Sequence, residues 1–214
     1  GDGFKLDQLD DFRIAVQNYV DYFFAYPNQS EPGTYDYTGK SKQVSAHDTF
    51  EKHKNAWNLH RLDTVSETDC IDNSTLNCEI ETVYGTHFDN VTPRLLPVGS
   101  ISEVISKVSA VYPQYDTILI LTNAQTQGCA GYQGSSIATC TIYPYYLSTS
   151  VHEMGHSFAG LADENGDSAY RPAPTSEPSE PNVTINNDNA TVKWKHWLGD
   201  PNGGVPDPPD WSTF

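Results

Sequence analysis

His152 and His156 flank Glu153 in the run His152-Glu153-Met154-Gly155-His156. On an α-helix, residues four apart lie about one turn on and nearly in register, so both imidazoles can reach one metal ion. Neutral imidazole suits zinc, which prefers tetrahedral sites and keeps one position open for water where it is catalytic. Glu153 sits beside the first ligand, where its carboxylate can accept a proton from that water. Zinc lowers the pKa of water to about 7, so a hydroxide forms at neutral pH and attacks a carbonyl. Glu153 then returns the proton to the leaving amine. The chemistry implied is metal-assisted peptide hydrolysis.

A helix must carry these residues. Ser148 reads as its start, Ser150-x-x-Glu153 as a capping box, and Val151, Met154, Phe158 and Leu161 as its apolar face. Gly160 is placed to stop it with a positive φ. A five-residue pattern also arises by chance, but this one lies in a capped amphipathic helix, follows a helix–strand–strand segment and runs into Gly160-Leu-Ala-Asp163-Glu164. The remaining histidines, His47, His53, His60, His87 and His196, have no partner at ligand spacing and read as surface or core residues. Glu177-Pro-Ser-Glu180 reads as a solvated loop.

The elements before that helix are legible by periodicity. Leu9, Phe12, Val16, Tyr19, Val20, Phe23 and Phe24 fall on one helical face, and Pro27 closes the segment. Residues 28–42 read as loop, and Trp57 to Val65 has strand-like composition. Ser100-x-x-Glu103 forms a capping box ahead of Ile101, Val104, Ile105, Val108 and Val111 at helical spacing. Thr117 to Thr122 is a short unbroken apolar run, which suits a strand covered on both faces. Helix, turn and buried strand make half of an α/β crossover unit. Residues 123–135 read as a glycine-containing loop. Ile137 to Tyr143 reads as a further strand, expected at a sheet edge where an extended substrate chain would bind. After Tyr170 the chain is mostly loop, with an aromatic segment at Val192 to Leu198.

The chain has 214 residues, enough for one large domain or two small lobes. With 12 basic against 28 acidic residues its formal charge is −16, which disfavours nucleic acid and anionic membrane surfaces as partners. No apolar run is long enough to span a bilayer, and no basic-then-apolar leader opens the chain. Of the four cysteines, Cys70 is expected to pair with Cys78 and Cys129 with Cys140, since each pair closes a short loop. Two disulfides and N-x-S/T sequons at Asn28, Asn73, Asn90, Asn182 and Asn189 point to an extracellular protein.

The run from His152 to Glu164 resembles the active-site signature of the IgA peptidase family of metzincin-like zinc endopeptidases. Tyr115 to Asn123, Trp57 to Ser66 and Trp194 to Trp197 are similar to other segments of that family. The resemblance implies an α/β (α+β) zincin catalytic domain over residues 96–214, with a twisted sheet above the active-site helix and an N-terminal lobe over 1–95. It implies Zn2+ held by His152, His156 and an acidic third ligand at Asp163, with Glu153 as general base. Glu164, Glu177 and Glu180 are the rival acids. The metzincin pattern places its glycine and last ligand one residue earlier than here, and Met154 is the only methionine, so no methionine turn lies in this stretch. The function expected is a secreted zinc endopeptidase acting on a protein or peptide. The alternatives are an inactive binding module of the same fold and a zinc hydrolase of a non-peptide amide.

Overall fold

The computed structural model describes residues 1–24, 50, 51, 53–69, 71, 82–92, 94–124, 126–143, 146–163 and 174–198. By its contacts the chain divides into two units, residues 1–159 and 160–214.

The first unit is built on a mixed sheet of β1 (Ile118–Thr122), β2 (Cys129–Tyr132) and β3 (Ile137–Thr141), in the order β1-β3-β2. β1 and β3 run parallel, and β2 and β3 antiparallel. The unbroken apolar run of β1 has a direct cause. Alternate strand residues face opposite sides of a sheet, and both sides are covered. Ile118 and Ile120 pack with Val104 and Val108 of α2 (Ile101–Ser109), while Leu121 packs with Phe4, Phe12 and Ala15. Phe12 and Ala15 belong to α1 (Leu9–Phe24), which buries Leu9, Phe12, Ala15, Tyr19, Tyr22 and Phe23. α2 starts as its sequence requires, with the Ser100 hydroxyl accepting the Glu103 N–H at 3.3 Å. The third helix, α3 (Tyr146–Ala159), packs on β2 and β3. No described helix is long and apolar enough to cross a membrane.

Several elements differ from their expected form. Residues 129–132 form β2 where a loop is expected, and Gly131 within it has a packing reason described below. β3 lies between β1 and β2, so its ladder groups are already paired and the expected substrate edge at Ile137 to Tyr143 is inside the sheet. Trp57 to Val65 forms no strand; Trp57 instead packs edge-on to Phe23 at 5.2 Å and against Phe158 at 5.4 Å. α3 begins at Tyr146, so Ser150 lies inside the helix, fully buried, and caps nothing.

Cys129 and Cys140 face each other across β2 and β3 and form a disulfide. The other expected pair, Cys70 with Cys78, lies outside the described residues. Replacing Cys129 and Cys140 together by alanine is expected to lower stability by about 2–3 kcal/mol, since the bond closes a short loop. Urea denaturation of the oxidised parent and the variant measures this.

The second unit holds little regular structure among its described residues, with one 3₁₀ turn at Lys195–Trp197. Its order comes from side chains. The Lys193 ammonium donates to the carbonyls of Pro178, Glu180 and Val183, the last two at 2.7 and 2.8 Å, and pairs with the Glu177 carboxylate at 3.2 Å.

Candidate metal centre

α3 carries the chemistry. Its buried residues, Ser150, Met154 and Ser157, recur at spacings of four and three and so form one stripe. At 100° per residue, His152 and His156 fall on the far side from that stripe, and Glu153 on its flank. His152 is exposed, and Glu153 and His156 are half-buried. The two imidazoles converge, with their Nε2 atoms 3.0 Å apart and their rings nearly perpendicular at 88°. The helix therefore brings both histidines together, as their spacing requires.

The stripe is anchored from below. The Tyr19 phenol donates to the Met154 sulfur, and burial pushes that phenol well above its usual range. Met154 also shares a cluster with Phe23 and Ala138. The expected apolar face is thus only partly realised, because Phe158 is 49% exposed and the buried positions between are serines. Small residues there let the helix sit close to the sheet. The closest approach is at Gly131 of β2. A Cβ on that residue would stand 2.3 Å from the Glu153 carbonyl oxygen and 2.9 Å from the His156 Cβ.

α3 ends at Ala159, and Gly160 turns the chain with φ +64°. Asp163 follows, exposed. The neighbouring residue Ala162 is held at both backbone groups by one side chain. Its N–H donates to Asn182 Oδ1 at 2.8 Å, and its carbonyl accepts from Asn182 Nδ2 at 3.0 Å. Nothing in the sequence singled out Asn182 for this task. Of the rival acids, Glu164 lies outside the described residues. Glu177 accepts the Ile185 N–H at 3.1 Å, and the Thr184 hydroxyl, ahead of Ile185 and Lys193, holds its carboxyl below the usual range. Glu180 accepts from the Ser179 hydroxyl at 3.2 Å. Among the other histidines, His60 stacks on Tyr112 at 4.5 Å, and His87 Nδ1 meets the Gly85 carbonyl at 2.9 Å.

A helix presenting two convergent imidazoles, with a carboxylate on the residue after the first, can hold a cation and move a proton beside it. The model of the family described as IgA Peptidase M64 matches residues 32–214. The chain belongs to that family and is a peptidase. No curated protein matches it.

Proposed function

We propose that this peptidase is a secreted zinc metalloendopeptidase. In this reading His152, His156 and Asp163 hold the metal and Glu153 is the general base. The observation that carries it is the imidazole pair. Two nitrogens each 2.0–2.1 Å from one tetrahedral zinc stand about 3.3 Å apart. The pair at 3.0 Å accepts such an ion after a shift of a few tenths of an ångström. Asp163 is supported as third ligand by its place in the chain, three residues beyond the Gly160 turn that follows the helix, where a carboxylate completes a donor set of two imidazoles. Bound zinc supplies Lewis-acid chemistry and makes water acidic near neutral pH. Glu153 takes the proton of the attacking water and hands it to the departing amine. The Cys129–Cys140 disulfide supports an oxidising, extracellular setting.

The test is cleavage of an unfolded protein with and without a metal chelator, alongside zinc titration of Asp163→Ala. Chelation should stop cleavage, and added zinc should restore it. Asp163→Ala should weaken zinc binding by more than the roughly 10–100-fold that loss of an outer-shell partner costs. Cleavage that survives chelation would refute the zinc mechanism. Wild-type zinc affinity in Asp163→Ala would remove Asp163 from the ligand set.

A further inference from the structure

We propose that Asn182 is a positioning residue for the third metal ligand, and that Lys193 holds Asn182 in place. The inference rests on the reading of Asp163 as that ligand. A carboxylate on an irregular segment has no helix or strand to aim it. Here the aiming falls to the residue before it. Asn182 makes a two-point clamp on Ala162, accepting its N–H at 2.8 Å and donating to its carbonyl at 3.0 Å. The side-chain amide thereby copies the donor and acceptor that a neighbouring strand would offer. The peptide plane that contains the Ala162 carbonyl also contains the Asp163 Cα. Holding that carbonyl therefore fixes the plane from which the Asp163 side chain starts, and holding the Ala162 N–H fixes the plane before it.

A clamp works only if it is itself fixed. Asn182 lies in a described stretch, 174–191, with no helix or strand. Lys193 supplies the rigidity. Its ammonium has three donors, and three carbonyls receive them: Pro178, Glu180 and Val183. Glu180 and Val183 bracket Asn182 in sequence. Glu177 closes the same hub at 3.2 Å. Charge-assisted bonds of this kind are stronger than neutral ones, and the lysine side chain is only a quarter exposed. The order of contact runs from Lys193 to the loop, from the loop to Asn182, and from Asn182 to the peptide planes that carry Asp163.

The experiment compares the full chain with its Asn182→Ala, Asn182→Asp, Lys193→Met and Asp163→Ala variants. Three quantities are read: zinc affinity by competition with a chromophoric chelator, the visible spectrum of the cobalt-loaded protein, and the Tm of the metal-free protein. Asn182→Ala should weaken zinc roughly 10–100-fold, as loss of an outer-shell partner does, and should alter the cobalt bands. Asn182→Asp keeps the acceptor for the Ala162 N–H and should lose less. Lys193→Met should act in the same direction as Asn182→Ala, and it tests the proposal through a second residue should that variant not fold. Wild-type zinc affinity and cobalt spectrum in the Asn182 and Lys193 variants, beside weakened zinc in Asp163→Ala, overturn the positioning role alone. An unaffected Asp163→Ala overturns the ligand assignment, and this proposal with it.

Discussion

Glu153→Ala is expected to abolish peptide hydrolysis while zinc stays bound. Glu153 is on the helix between the two imidazoles, and in the proposed mechanism it touches the water and not the metal. Alanine removes the base that receives the first proton and the acid that returns it. Loss of one such group typically costs 10²–10⁴-fold, and both roles fall here on one carboxylate. The fold should tolerate the change. The Glu153 carbonyl oxygen, which lies against Gly131 of β2, is kept by alanine. Zinc content and proteolysis must be read on one sample. Zinc retained with activity lost supports the assigned role. Proteolysis retained in Glu153→Ala would overturn it, and zinc lost would make Glu153 a ligand.

The part of the site that was legible in the sequence is the part built by local periodicity. His152 and His156 meet because they are four apart on a helix, and no tertiary contact is needed to bring them together. Ser100 and the apolar residues after it specify α2 in the same local way. The run in β1 announced a strand covered on both faces. The failures have a common cause in packing between distant segments. Gly131 reads as a loop residue because glycine is rare in strands, yet here it is a strand glycine with a helix backbone against it. Ser150 reads as a cap because serine favours caps, yet the helix starts a turn earlier at Tyr146 and buries it. Asn182, read as a sequon, and Lys193, read as part of an aromatic segment, gave no signal of the contacts they make. Their partners lie 20 residues away for Asn182 and 10–16 for Lys193, in stretches without periodicity. Asp2 is a further case, buried and accepting from Thr82 at 2.7 Å and from the Tyr84 N–H at 3.1 Å, contacts across 80 residues or more that composition does not encode.

Gly131→Ala is expected to cut kcat/KM about 100-fold, far beyond what its stability loss explains. The added Cβ would stand 2.3 Å from the Glu153 carbonyl oxygen and 3.0 Å from the carbonyl carbon. These are backbone atoms of α3, and no side-chain rotation relieves the clash. The helix must move off β2, or β2 must move off the helix. Overpacking of this kind costs about 1–3 kcal/mol in stability. The displaced atoms belong to the proposed base, and the His156 Cβ lies 2.9 Å away as well. A 1 Å misplacement of reacting groups can cost about 10²-fold in rate, so activity should fall while most of the protein stays folded. Gly134→Ala is the matching control. Gly134 has φ +80° and nothing within 4 Å of its added Cβ, so alanine there strains the turn without touching the helix. It should lower the Tm and leave kcat/KM near the parent value. Thermal unfolding and steady-state cleavage of both variants separate the effects. Parent-like activity in Gly131→Ala, or an equal loss of activity in Gly134→Ala, would mean that the close approach of β2 to α3 does not set the catalytic geometry.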